Sequence, residues 1–329
     1  MTTFNFPRTV LRRLLVAVVA AAAGLAPLLV APAASAHPRP LPGSYQLTGD
    51  AGGSRFEGIG YDRRSGAFYV SETTGGEIHR GQVRRSTTEE WLPGDGSDGR
   101  WTARGITVDQ RGRVYVAGGP NSTDNPGAPD LWVYSRSGRL IAALRTGLPG
   151  VFLNDVAIGP DGAAYFTDSN TPRIFRVARD RSGWSVSVWK DASGPVTQAP
   201  GFNFNGIVAT PDGKALLVVQ SNAGKLWRFD FRTRAVLEVG IGAADLTSGD
   251  GLVLNGDELT VVRNFPRRLV TLDLNRGWRQ ARQVADVQTA ADRVFTTAKI
   301  AKGRLLAVDS KFDETTPAPP YEVVVLPLP

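Results

Sequence analysis

Two acids and two amides stand at matching places in four repeated segments of this 329-residue chain. Glu57 opens "EGIGYDRRSGAFYVSE", Asn154 opens "NDVAIGPDGAAYFTDS", Asn205 opens "NGIVATPDGKALLVVQS", and Asp250 opens "DGLVLNGDELTVV". Each is followed by a short apolar run, a Gly-containing turn and a second apolar run. Brought together, two carboxylates and two amide carbonyls make an oxygen-rich site of net charge −2. Such a donor set suits Ca²⁺, which takes six to eight oxygens and leaves positions for water or substrate. Calcium is therefore the expected ion, with another divalent cation as the alternative. Zinc is a poor match, because the chain has two histidines and no cysteine. A plainer reading of the same residues is that Asn and Asp begin strands by capping turns, and that "NG" and "DG" are turn dipeptides.

Two further segments share the pattern and change the lead residue. "RGITVDQRGRVYVAG" begins with Arg104, and "TTAKIAKGRLLAVDS" begins with Thr296. The six lead positions are separated by 47, 50, 51, 45 and 46 residues. A period in this range, built from short β-branched and aromatic runs with turn signals between them, predicts a β-propeller with one four-stranded antiparallel sheet per repeat. No helical periodicity of any length is visible. The expected fold is all-β, a six-bladed propeller over residues 44–329. The last repeat ends in "YEVVVLPLP", one strand short, and "SYQLTGD" at 44–50 is expected to supply the missing outer strand and close the ring. In a propeller the first strand of each blade lines the central channel, so the lead side chains should meet at one mouth.

The chain at this point resembles the senescence marker protein/gluconolactonase family, six-bladed calcium propellers similar in plan to paraoxonases and diisopropylfluorophosphatase. The residues that carry the resemblance are Glu57-Gly58, Asn154-Asp155, Asn205-Gly206 followed by "TPDGK", Asp250-Gly251, and the strand endings "TDS" (167–169) and "VDS" (308–310). The resemblance implies that Glu57, Asn154, Asn205 and Asp250 hold calcium in the channel mouth. It also implies that Asn154 touches metal or substrate, and that Asp250 has a catalytic part. Three departures concern the substrate. Phe152 stands where sugar-lactone members tend to have Arg, Ile59 replaces a common Pro, and Arg104 brings a cation to the ring.

The expected activity is a Ca²⁺-dependent hydrolysis of lactones or related esters, with Asp250 as general base or nucleophile. Calcium activates water less than zinc does, so a protein group is needed. Arg104 and Phe152 are expected to bind substrate, together with Asn154. Phe56, Phe204, Phe265 and Phe295, with Trp101 nearby, are read as an apolar mouth favouring a hydrophobic ester over a sugar acid. Two alternatives keep the scaffold: a non-enzymatic propeller that binds a ligand or protein, and a cyclase or isomerase of a metabolite. A Ser-His-Asp triad would need His79, which falls on a third strand away from the mouth.

Residues 1–36 read as a signal peptide: Arg8, Arg12 and Arg13, then "LLVAVVAAAAGLAPLLVA", then Ala-Ser-Ala ending at Ala36. Residues 37–43 read as a short linker. The mature chain is expected to be secreted or held in the cell envelope, with no membrane anchor after cleavage. About 290 remaining residues bury enough apolar surface to fold without disulfides. The formal charge of +7 includes the three leader arginines and so falls to +4, with no basic block or basic-aromatic alternation, which excludes an obvious nucleic-acid site. The Asn-Ser-Thr at 121–123 matches a glycosylation sequon.

Overall fold

Strand after strand in this chain is apolar on both faces. "ALLVV" at 215–219 shows why: Leu216 and Val218 face one neighbouring sheet, and Leu217 and Val219 face the other. With side chains alternating at period two, such a segment must lie between two packed sheets. The computed structural model of the chain describes residues 40–119, 125 and 127–329. The expected signal segment, residues 37–39 of the linker and the Asn-Ser-Thr sequence lie outside the described residues.

The described strands form six four-stranded antiparallel sheets, and there is no helix among the described residues. A first strand, β1 (Ser44–Leu47), precedes the blades. Blade 1 is β2 (Phe56–Asp62), β3 (Ala67–Glu72), β4 (Ile78–Gln82) and β5 (Thr88–Leu92). Blade 2 is β6 (Ala103–Val108), β7 (Val114–Gly118), β8 (Leu131–Tyr134) and β9 (Leu140–Leu144). Blade 3 follows with β10 (Leu153–Ile158), β11 (Ala164–Asp168), β12 (Arg173–Asp180) and β13 (Gly183–Asp191). Blade 4 is β14 (Phe204–Ala209), β15 (Ala215–Gln220), β16 (Lys225–Asp230) and β17 (Val236–Glu238). Blade 5 is β18 (Gly249–Asn255), β19 (Glu258–Arg263), β20 (Arg268–Leu274) and β21 (Ala281–Gln288). Blade 6 has β22 (Phe295–Ala301), β23 (Arg304–Asp309) and β24 (Tyr321–Leu326) from the C-terminal end, with β1 as its outer strand.

The ring thus closes with an N-terminal strand, as the incomplete last repeat predicted. Ser44 to Leu47 pair with Val324 to Tyr321, and Val325 N donates to Gly43 O at 2.9 Å just beyond the strand. The other side of β1 is tied to blade 1: Gln46 N donates to Ser86 O at 2.8 Å, and Tyr45 Oη donates to Val83 O at 2.9 Å. Six apolar clusters hold the molecule together, one at each blade-to-blade interface, among them blade 6 to blade 1 through Tyr45, Phe56, Phe68 and Val323. The outer strands are less buried. In β21 every residue is exposed or half-buried, because nothing packs outside it.

Candidate functional site

All six innermost strands contain the same irregularity. In β2, Phe56 pairs with Glu72 but Ile59 pairs with Val70, so Glu57 and Gly58 together oppose the single residue Ser71. The same extra residue occurs at 104–105, 154–155, 205–206, 250–251 and 296–297. Each is a β-bulge, a device that bends a strand and re-aims a side chain. The lead residues of the six repeats are therefore bulge residues, which is how a polar group enters the head of an apolar strand. This answers the turn-cap reading: "NG" at 205–206 and "DG" at 250–251 lie inside strands, not in turns.

The partners of each bulge are specific. Gly58 N donates to Ser71 Oγ at 2.8 Å, and Ser71 Oγ in turn donates to Arg104 O of the next blade. In blade 3, Asp155 N donates to Thr167 Oγ1 at 3.1 Å, and Thr167 Oγ1 donates to Asn205 O at 2.7 Å. Thr296 Oγ1 donates to Glu57 O at 2.8 Å, passing the same link from blade 6 to blade 1. The glycine after a lead residue is there because the next blade's backbone touches it. A Cβ on Gly206 would sit 2.2 Å from Asp250 O. Asp155 fills that place in blade 3 and reaches forward, its Oδ2 accepting from Ile207 N at 3.1 Å.

Glu57, Arg104, Asn154, Asn205 and Asp250 all line one cavity of about 520 Å³, a volume ordinary for a small-molecule site. These five are 5–8 % exposed, whereas Phe202 and Phe265 on the same cavity are 52 % and 53 % exposed. Polar groups therefore form its depth and phenylalanines its rim. Phe152 also lines it, with Arg104's guanidinium carbon 3.8 Å from the ring centre and Phe202 at 5.2 Å between centroids. The positive charge absent from position 152 reaches the same place from the neighbouring blade.

Other sequence expectations for the mouth are corrected. Thr296 is fully buried and holds the Glu57 backbone without lining the cavity. Phe56, Phe204 and Phe295 are blade-interface core, because residues one before a bulge point between sheets. Trp101 is 39 % exposed and lies against Gly96, away from the cavity. Missing from the sequence reading were Phe202 and Phe312, loop residues on the rim, and Asn264 in the wall, which follows β19 at the repeat position held by Ser169 and Ser310. Asn264 Nδ2 donates to Asp250 Oδ2 at 2.8 Å. Ser169, at the end of "TDS", accepts from Asn154 Nδ2 at 3.0 Å and donates to Phe204 O at 2.7 Å. Asp168 in the same triplet fixes the rim, its Oδ1 accepting from Phe152 N at 3.0 Å. His79 does not line the cavity.

Burial dominates the electrostatics of the polar depth. Burial, then repulsion from Asp250 and Asp155, raises the Glu57 carboxyl well above the usual carboxylate range. Burial pushes Asp250 up to about 7, against the opposing hydrogen bonds from Asn264 and Asn205. The Arg104 guanidinium is brought down to about 10 by burial, with Glu57 acting the other way. Glu57 Oε2 and Asn154 Oδ1 are buried acceptors without a hydrogen-bond donor. Since a buried unpaired acceptor costs about 1–3 kcal/mol, two such atoms on one cavity fit an ion as their partner. The donor set, two carboxylates and two amide carbonyls, is of the hard, oxygen-only kind.

A profile of the SMP-30/Gluconolactonase/LRE-like region matches residues 56–260, more than half of the chain. No curated protein sequence matches it. Among solved structures, the chain is similar to the major Malassezia sympodialis allergen Mala s 1 at 17% identity and a TM-score of 0.64, over 87% of this chain and 96% of that one. Regucalcin, a calcium-binding protein from Agrobacterium tumefaciens, aligns at 18% identity and a TM-score of 0.56, over 84% and 95% of the two chains. An inactive variant of virginiamycin B lyase from Staphylococcus aureus, solved with quinupristin, aligns at 14% identity and a TM-score of 0.57, over 87% and 98%. At these identities the structural likeness is one of fold. The profile match together with the six-bladed ring places this chain in the SMP-30/gluconolactonase/LRE-like family.

Proposed function

We propose that the chain is an exported, calcium-dependent hydrolase of lactones or related esters, acting on an apolar small molecule. The observation that carries this reading is the pair of buried, donor-less acceptors, Glu57 Oε2 and Asn154 Oδ1, beside the ionisable Asp250 at the depth of a phenylalanine-rimmed cavity. Glu57, Asn154, Asn205 and Asp250 would hold the ion. When bound, calcium supplies compensation for the two carboxylates and polarisation of a substrate carbonyl oxygen. Asp250 is the general base or nucleophile, its carboxylate fixed in plane by Asn264. As base it takes a proton from a water whose oxygen bonds to the carbonyl carbon; the ring or ester C–O bond then breaks, and the proton passes to the leaving oxygen. Arg104, flat against Phe152, binds an oxygen of the substrate, and Phe152, Phe202, Phe265 and Phe312 take its apolar part. Export rests on the leader-like first 36 residues, and sequencing the N-terminus of secreted protein tests it.

The first experiment is metal analysis of the purified protein, with melting temperature taken before and after chelation. Bound calcium, a large fall in melting temperature on stripping, and recovery with Ca²⁺ are expected. No metal and no change overturn the reading. A lactone and ester screen follows, in which Asp250→Asn should abolish turnover and leave the fold intact. A second reading, cyclisation or isomerisation of a metabolite in the same cavity, draws on its exposed aromatic rim. Product mass separates the two, because hydrolysis adds one water and isomerisation adds nothing.

A further inference from the structure

Away from the cavity, a second group of ionisable side chains is buried without a role in the chemistry above. Asp50, Glu72 and Glu77 each bring one carboxylate oxygen within 4.8 Å of the others. Glu72 is 1 % exposed and Glu77 9 %, and the Oε2 atom of each has no hydrogen-bond partner. Thr74 Oγ1 donates to Glu72 Oε1 at 2.7 Å, which fixes that carboxylate and leaves Oε2 directed elsewhere. The Glu77 carboxylate lies on bare backbone: a Cβ on Gly75 or Gly94 would come within 2.5 Å or 2.1 Å of its Oε1.

An independent observation comes from the neighbouring strand β4. His79 is 2 % exposed, and neither ring nitrogen has a hydrogen-bond partner. Its Nε2 lies 3.6 Å from Glu72 Oε2, too far for a hydrogen bond. The imidazole thus borders Glu72 without joining the three carboxylate oxygens that lie within 4.8 Å of one another. Phe56, edge-on at 5.3 Å, packs against the imidazole ring. Carboxylates and an imidazole buried together with open lone pairs are costly unless something positive joins them.

We propose that Asp50, Glu72 and Glu77 hold a second divalent cation, structural in role, with the His79 imidazole beside the group against Glu72. Three carboxylates favour a hard, oxygen-preferring ion such as Ca²⁺ or Mn²⁺. None of the four residues lines the cavity. Glu72 ends β3 and Glu77 immediately precedes β4, while Asp50 follows the ring-closing strand β1 by three residues. The ion therefore ties the exit of the closing strand to blade 1, with exposed Asp50 as its route from solvent.

The test uses the full chain, stripped with a chelator and dialysed against Mn²⁺. Wild type should hold one more Mn²⁺ than Glu72→Gln/Glu77→Gln, and adding the same two changes to Asp250→Asn should again remove one Mn²⁺, which separates this site from the cavity. Asp50→Asn, on an exposed residue that leaves the core intact, should weaken this Mn²⁺ about 10-fold or more, and it decides the matter if the double variant fails to fold. Equal Mn²⁺ counts in wild type and Glu72→Gln/Glu77→Gln, or unchanged Mn²⁺ affinity in Asp50→Asn, overturn the proposal.

Discussion

The Asp250 carboxyl, pushed up to about 7 by burial, stands near the midpoint of its titration at neutral pH unless a cation compensates it. The unfolded chain ionises this group near 3.8. Between those two values the folded state holds the extra proton, so the stability of metal-stripped protein falls as pH rises from about 4 to 7. Calcium binding removes that proton. The gain in melting temperature on adding Ca²⁺ should therefore be small at pH 5 and grow until pH passes about 7, a trend that paired melts across pH would check. Asn264 lowers the Asp250 carboxyl through its hydrogen bond. Asn264→Ala should shift the acid limb of the rate profile to higher pH while leaving the melting temperature of the loaded protein within a few degrees. An unmoved profile would remove Asp250 from the titrating role.

At the scale of the strand, the bulge is the unit that makes the site. It places two residues where a regular strand has one, so the first can turn into the channel while the second meets the adjacent blade. Gly206 shows the constraint: an added methyl would meet Asp250 O at 2.2 Å and Leu252 N at 2.9 Å. Gly206→Ala should cost about 1–3 kcal/mol by overpacking and weaken calcium binding, because it pushes directly on the Asp250 backbone. Gly194, with nothing within 4 Å of a new Cβ, is the control, and Gly194→Ala should stay within about 0.5 kcal/mol of wild type. Thr167 links bulge to blade through Asp155 N and Asn205 O. Thr167→Val keeps the shape but strands both partners, for an expected loss of about 1–3 kcal/mol in denaturant unfolding.

For the whole molecule, the circle depends on four residues of β1. Tyr45 is fully buried, packs edge-on to Phe68 at 4.8 Å between centroids, and receives a hydrogen bond from Arg304 Nη2 at 2.9 Å. Tyr45→Ala should cost about 3–5 kcal/mol, like other aromatic truncations in a core. Removing residues 41–47 would expose the backbone edge of β24 and part blade 6 from blade 1. That truncated chain should self-associate in a concentration-dependent way, read by light scattering, because an unpaired edge recruits other strands. A monomer with an unchanged melting temperature would show that closure needs no strand from the N-terminal side.

Repeat number, blade order and the closing strand were legible in the sequence because they follow from period and count. A spacing of 45–51 residues with period-two apolar runs allows few arrangements, and a last repeat lacking a strand names its own remedy. The lead residues were legible too, since a polar group recurring before an apolar run marks one symmetric position. Their shared mouth was an inference from that symmetry; the bulges that turn them inward were not visible, because a bulge is a relation between two strands. The same limit explains the phenylalanines. Phe56 stands one residue ahead of its lead residue and is core, whereas Phe152 stands two ahead and lines the cavity, a difference that the bulge geometry decides. Phe202 and Phe312 lie in loops whose paths no periodicity encodes, whereas Asn264 holds the repeat position of Ser169 and Ser310 with a changed residue type, and Asp50 meets Glu72 and Glu77 only once β1 has closed the ring. Local pattern determined which side chains could do chemistry; only the packing of six blades decided which of them share a cavity, since that depends on contacts between residues far apart in the chain.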